Sequence, residues 1–356
     1  MPTPPERLPG PAELERWLRE DDPARLEELW RRADEVRRAY VGDEVHLRGI
    51  VEVSNHCARQ CHYCGLRAGN RRLPRYRMSA DDVVASARLV RRLGYGTVVL
   101  QSGEDDTLTA EWGAAVVSRI KDATGLAVTL SFGERRPEEL RAWRRAGADR
   151  YLLRFETSNA ALFARVHPPR REGSPSRLEL LRELRHLGYE VGSGVMVGLP
   201  GQRYADLAAD LAYFRELDLD MVAVGPFIPH AATPLGNALP VPPAPPGPDD
   251  VPADELTTYK MIALSRLACP EANIPGTTAL ATVNRAAGRD LALRRGANVI
   301  MPDVTPLPYR RLYEIYPAKA AADEGAEGYN GRLRRRLAAM GRRVATGPGG
   351  RMRRLP

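Results

Sequence analysis

Between residues 47 and 301 the chain repeats one unit eight times, a short apolar run followed by a longer stretch with helical spacing. The runs are 47–53, 97–101, 127–131, 151–155, 191–197, 221–225, 273–278 and 297–301. Helical patterns at 79–93, 110–123, 137–146, 177–187, 204–217, 254–268 and 285–295 fill the intervals. Strands separated by helices pair in parallel through right-handed crossovers, and eight such units close a barrel. An open doubly wound sheet competes with this arrangement, but it would carry a Gly-rich phosphate turn after its first strand. The glycines Gly192, Gly194 and Gly198 have the wrong spacing for that turn. The expected fold is therefore α/β, a complete (β/α)8 TIM-type barrel over residues 45–317. An N-terminal helical extension (1–44) and an Arg-rich C-terminal extension (318–356), peripheral and partly loose, complete the division. The proline-rich run 240–252 cannot be helix and is expected as an extended loop after the sixth strand.

Lys and Arg total 53 against 45 Asp and Glu, a net charge of +8. Lysine occurs only at Lys121, Lys260 and Lys319, so arginine carries the surplus, much of it after Arg332. Such a run reads as a solvated face rather than a nucleic-acid surface. No apolar run approaches the ~20 residues of a membrane span, and the amino terminus has no signal-like apolar core. A cytoplasmic location, with neither membrane nor nucleic acid as partner, is expected.

Four cysteines carry more information than the charge does. Cys57, Cys61 and Cys64 crowd into one loop directly after the first strand, while Cys269 stands alone near a helix end and reads as a small buried apolar residue. A disulfide framework would spread its cysteines along the chain, whereas a tight trio points to metal. Barrel enzymes build active sites at this end of their strands. Three thiolates can hold three irons of a 4Fe-4S cubane and leave the fourth iron open. Structural zinc with His56 or His62 as fourth ligand, or an electron-transfer cluster, is compatible with the same cysteines.

Other strand ends carry polar groups. Arg154 and Glu156 are two apart and share a face at the end of strand four, either as an internal salt bridge or as ligand contacts. Gln101-Ser102-Gly103-Glu104 ends strand two, Thr129 and Ser131 share a face of strand three, and Thr277-Thr278 closes strand seven. Hydroxyls in such places also cap helices. Tyr309, Tyr313 and Tyr316 have the spacing of one helical face.

The Cys-x-x-x-Cys-x-x-Cys loop, with Tyr63 before its last cysteine, resembles that of the radical S-adenosylmethionine (radical SAM) superfamily. Longer runs resemble one of its subfamilies, the FeFe-hydrogenase maturase HydE. They are residues 55–65 with Tyr76-Arg-Met, 99–105, 148–154, 196–202, 225–230, 273–279 and 296–302 leading to Pro308-Tyr-Arg310. The resemblance implies a radical SAM barrel, one 4Fe-4S cluster on Cys57, Cys61 and Cys64, and SAM cleaved to a 5′-deoxyadenosyl radical. It implies SAM contacts from Tyr63, Gln101, Ser102, Thr129, Arg154, Glu156, Arg177, Met196, Ile228, Tyr313 and Tyr316, with Thr277 and Thr278 facing the substrate. The implied substrate is an iron synthon made by HydG, bearing carbon monoxide, cyanide and cysteine, whose cysteine sulfur the radical attacks. The product would go to HydF, and a ferredoxin or flavodoxin would supply electrons. Phe155 stands where relatives often carry histidine. The cysteines of a second cluster found in some relatives are lacking after Cys269, so only one cluster is expected. Biotin synthase-like sulfur insertion and methylornithine synthase-like isomerisation are the neighbouring activities, and the first needs a sulfide source these cysteines do not provide.

Overall fold

The computed structural model describes residues 9–169, 175–237 and 247–352. Eight strands appear in the expected order: β1 (Glu44–Ser54), β2 (Thr97–Ser102), β3 (Ala127–Ser131), β4 (Arg150–Leu152), β5 (Glu190–Val197), β6 (Met221–Pro226), β7 (Pro275–Gly276) and β8 (Val299–Ile300). They pair in parallel in the order β6-β5-β4-β3-β2-β1-β8-β7. A parallel bridge between Met221 and Asn273 brings the two ends together, so the sheet is a nearly closed barrel. β1 is buried over almost its whole length, which is why it reads as a near-continuous apolar run rather than an alternation. No described helix is long and apolar enough to cross a membrane.

Local chemistry sets where the helices start. Thr109 accepts from Trp112 N to open helix Ala110–Thr124, and Gly125 closes it in the left-handed region, φ 64°. Ser176 and Glu179 form a capping box, which sets Arg177 as the first residue of helix Arg177–His186, facing the barrel mouth. The N-terminal helices Pro11–Arg19 and Pro23–Val41 pack against helices Tyr204–Glu216 and Glu255–Ala268.

Four expectations change in detail. The strand expected at 151–155 pairs regularly only through Leu152, because the backbone turns to a positive φ of 63° at Glu156. Leu153 N and Glu156 N still donate to Gly192 O and Gly194 O, both at 3.0 Å. The helix expected at 285–295 shortens to Gly288–Arg294, and an unexpected short helix, Thr278–Val283, precedes it directly after β7. The tyrosine face does not form, since helix Leu307–Arg310 stops after one turn. Leu312 O, which a continued helix would offer to Tyr316 N, accepts instead from Asn55 Nδ2 at 2.8 Å. Of the proline-rich run, residues 240–246 lie outside the described residues, and 247–252 turn back so that Asp250 bridges Arg203.

The tail is not peripheral. β9 (Arg343–Val344) extends the edge of β1, and the following residues cross the amino-terminal end of the barrel. There Pro348 O accepts from Thr97 Oγ1 at 2.8 Å and Arg150 Nη2 at 3.0 Å, while Gly349 O accepts from Arg48 Nη2 at 2.9 Å. The strap lies so close that a Cβ on Gly96 would stand 1.6 Å from Gly347 O. A Gly96→Ala variant is therefore expected to lose about 1–3 kcal/mol, the scale of an overpacked contact. Denaturant unfolding reads the loss, and limited proteolysis should release the tail earlier than in the parent.

Candidate functional site

The loop after β1 has little regular structure, and long-range hydrogen bonds fix it instead. Ala58 N donates to Glu104 O at 2.9 Å, His62 N to Val166 O at 2.8 Å and Gly65 N to Ile315 O at 2.8 Å. Gly103 lets the loop approach β2, since a Cβ there would meet His56 O at 2.2 Å. Cys57, Cys61 and Cys64 are all free and line one cavity of about 310 Å³ at the carboxyl ends of the strands. Burial pushes the Cys61 thiol up to about 12 and raises those of Cys57 and Cys64 as well. Buried thiols like these stay protonated alone and become thiolates when a metal replaces the proton. Cys269 is buried among apolar residues at the end of helix Glu255–Ala268 and does not line the cavity. Neither His56 nor His62 lines it. The ring that meets the trio is His167, whose Nδ1 lies 3.0 Å from Cys61 Sγ and 2.9 Å from Tyr63 Oη.

A charged network supports that wall. Glu134 Oε1 is 2.9 Å from Arg177 Nε and 3.2 Å from Arg59 Nη2, and Glu104 faces the same guanidiniums at 3.5 and 3.6 Å. Arg177 also donates to Arg154 O at 2.6 Å. Glu104, Glu134 and His167 could by spacing alone hold a metal ion. Two interleaved arginines already supply the positive charge, so the cluster is an ion-pair network. Burial and the nearby Arg177 charge push His167 down to about 3, which leaves a neutral imidazole. The Arg177 and Arg59 charges, with the hydrogen bond from Arg177, pull the Glu134 carboxyl below the usual carboxylate range against its burial.

In the same cavity as the cysteines, Arg154 Nη2 stands 3.1 Å from Glu156 Oε2, so the two residues two apart do meet. The pair is not self-sufficient. The separation lacks the alignment of a hydrogen bond, and both Glu156 Oε2 and Arg154 Nε are buried without a partner. Buried polar atoms left over in this way fit a polar ligand in the cavity.

Gln101, Ser102, Met196, Ile228, Thr277, Thr278, Tyr313 and Tyr316 line the same cavity. Tyr313 Oη accepts from Gln101 Nε2 at 3.3 Å. Thr277 also caps helix Thr278–Val283, and Thr278 Oγ1 accepts from Arg289 Nη2 at 3.2 Å. Thr129 does not line the cavity. It precedes Ser131 by two residues on β3 and lies one layer deeper, beside Arg48 and Arg150, so Ser131 is the hydroxyl that reaches the mouth.

Several lining residues were not anticipated. Lys319 Nζ lies 2.6 and 2.7 Å from the two oxygens of Glu52 and 3.2 Å from Asp303 Oδ2, all at the cavity wall. Arg59 and His167 also belong to it, beside Glu104 from the turn expected at the end of strand two. Three free thiols, unpaired buried polar atoms and room for a ligand together fit a cluster with one open iron and a chelating nucleotide.

Comparison with known proteins agrees with this geometry. Residues 51–214 match the radical SAM superfamily. The chain is 46% identical over 327 residues to the [FeFe] hydrogenase maturase subunit HydE of Thermotoga maritima, spanning 92% of this chain and 89% of that protein. The crystal structure of methylornithine synthase superposes with a TM-score of 0.78 at 24% identity, covering 95% and 94% of the two chains. A crystal structure of HydG, a maturase of the [FeFe]-hydrogenase, superposes with a TM-score of 0.75 at 19% identity, over 94% of this chain and 72% of that one. These two likenesses concern the fold.

Proposed function

Because the chain belongs to the HydE group of radical SAM enzymes, we propose that it acts in FeFe-hydrogenase assembly on an iron synthon bearing carbon monoxide, cyanide and cysteine, supplied by HydG, and that its product passes to HydF. The observation that carries this reading is 46% identity across 92% of the chain. It is reinforced by a cysteine trio opening onto a cavity that also holds an incompletely paired Arg154 and Glu156.

In this reading Cys57, Cys61 and Cys64 hold one 4Fe-4S cluster. When bound, the cluster and SAM supply one-electron cleavage of the sulfonium to methionine and a 5′-deoxyadenosyl radical, directed at the cysteine sulfur of the substrate. The chain's own groups bind and orient. Arg154 offers its Nε, which makes no hydrogen bond, to a carboxylate, and Glu156 its Oε2, ion-paired with Arg154 but not hydrogen-bonded, to an amine or ribose hydroxyl. Gln101, Ser102, Tyr63, Arg177, Tyr313 and Tyr316 add polar contacts, and Met196 and Ile228 add apolar ones. Thr277 and Thr278, just after β7, line the same cavity and face the substrate. Tyr313 and Tyr316, buried in the cavity lining, exclude water from the reacting centre. A ferredoxin or flavodoxin supplies the electron.

Anaerobically reconstituted protein given dithionite and SAM should form 5′-deoxyadenosine. Mixed with the other maturases and apo-hydrogenase, it should then restore hydrogenase activity. Failure where a known HydE succeeds would overturn the assignment, and methylornithine formed from lysine would replace it with the isomerase reading. Zinc without iron would return the protein to a binding module.

A further inference from the structure

We propose that His167 is a positioning residue for the cysteine loop, its Nδ1–H donating a hydrogen bond to the Cys61 sulfur and so raising the reduction potential of the cluster the loop holds. The inference rests on the reading of the cysteines given above and adds a group outside their loop, 106 residues further along the chain.

His167 caps the short helix Ala160–Val166 and is 1% exposed. Phe163 stacks on its ring at 4.8 Å between centroids and Tyr63 stacks at 6.1 Å, both at 26°, so the orientation of the ring is fixed. The identity of the donor follows from the other nitrogen. Nε2 lies 3.0 Å from Arg177 Nη2, and a guanidinium nitrogen can only donate. Nε2 therefore accepts, and in a neutral ring the proton must sit on Nδ1. Glu134 is no rival acceptor for an Nε2 proton. It stands 3.5 Å away, and its Oε1 already receives Arg177 Nε at 2.9 Å.

Nδ1–H then faces two acceptors, Cys61 Sγ at 3.0 Å and Tyr63 Oη at 2.9 Å. An N–H···S bond strengthens as negative charge on the sulfur grows. One-electron reduction of a thiolate-bound cluster adds that charge, so the bond stabilises the reduced state more than the oxidised one. Arg177 thereby acts on the cluster through His167, by fixing which nitrogen carries the hydrogen.

The test is the cluster midpoint potential of the reconstituted full-length protein without SAM or substrate, read by redox titration followed by electron paramagnetic resonance. His167→Phe should lower the midpoint, with the reduction equilibrium falling about tenfold, the scale of one charge-assisted hydrogen bond and equal to 59 mV for one electron. His167→Gln, which keeps an N–H on that side, should fall less. Tyr63→Phe removes the competing acceptor and should move the midpoint the other way. A merely structural histidine gives no such opposition of sign. An unchanged or raised midpoint in His167→Phe overturns the proposal. If that variant loads no iron, Tyr63→Phe decides, a raised midpoint supporting the bond and an unchanged or lowered one overturning it. A parent protein that forms no cluster overturns the reading of the cysteines as well, which keeps the two failures distinct.

Discussion

A Cys61→Ala variant should release no measurable 5′-deoxyadenosine, a loss of at least about 10³-fold, the scale set by removing one indispensable catalytic group. Cys61 is the most enclosed of the three thiols at 7% exposed, and burial raises its thiol strongly. Its sulfur is of use in that place only as a metal-bound thiolate, because an unpaired buried charge is too costly. Alanine leaves two cysteines, too few to hold a cubane by three corners, and it takes away the acceptor facing His167. Iron content and the charge-transfer absorbance of the reconstituted protein should fall together with SAM cleavage. Cys269→Ala is the matched control. That thiol is equally free and almost equally buried, yet it packs in the apolar core away from the cavity. It should keep its iron and its cleavage rate. Equal losses in the two variants, or retained turnover in Cys61→Ala, would remove the basis for placing a cluster on the loop.

The contrast between these two cysteines was legible in the sequence because the informative signal was local. Three cysteines on one turn after an apolar run, and Arg154 two residues before Glu156, are patterns that short spacing and strand periodicity decode. The barrel was legible for the same reason, since each strand–helix unit is written in consecutive residues. His167 was not. Its neighbours in sequence say only that a helix ends there, while its partners Cys61 and Tyr63 come from β1's loop, more than 100 residues earlier. Tyr313 and Tyr316 were misread as a helical face because helical spacing was present but the carbonyl at Leu312 had been claimed by Asn55, a competition no local pattern records. Thr129 had the right face of β3 and the wrong depth, since alternation gives the side of a strand and not the layer. Arg-rich composition likewise hid that the tail seals the bottom of the barrel with backbone carbonyls.

Lys319 is the sharpest case, because it comes from the segment read as an extension and yet reaches the inner wall of the barrel. A Lys319→Met variant should lose about 3–5 kcal/mol where Glu52 is ionised in the parent, the cost of removing one member of a buried ion pair. The ammonium donates to both oxygens of Glu52 at 2.6 and 2.7 Å and to Asp303 Oδ2 at 3.2 Å, and lies 5.4 Å from the ring centre of Tyr313. Arg310 Nε, at 3.4 Å, is the other cation on Asp303. With Lys319 gone, Glu52 keeps no cation among these contacts. Burial, then the Asp303 charge, already push the Glu52 carboxyl well above the usual carboxylate range, with Lys319 pulling it back. Removing that pull raises it further, so the sign of the pH dependence is fixed. A carboxyl whose folded value exceeds its unfolded value binds its proton more tightly when folded, and stability falls as pH rises from about 4.3 through the folded value. The parent's carboxyl is raised as well, so both proteins lose stability together at first, and the variant's deficit should grow only above the parent's folded value, where Glu52 ionises beside Lys319 but not in its absence, as read by denaturant unfolding from acid to alkaline pH. Glu52→Gln in the Lys319→Met background removes the stranded charge, and most of the pH-dependent part of the deficit should vanish with it. A deficit that stays constant from acid to alkaline pH, or that persists undiminished in the double variant, would mean that Lys319 holds the wall by packing rather than by charge. The consequence for activity then separates as well. Tyr313 is positioned by Lys319 at its ring and Gln101 at its hydroxyl, so loss of the charge alone should also loosen a group that lines the cavity.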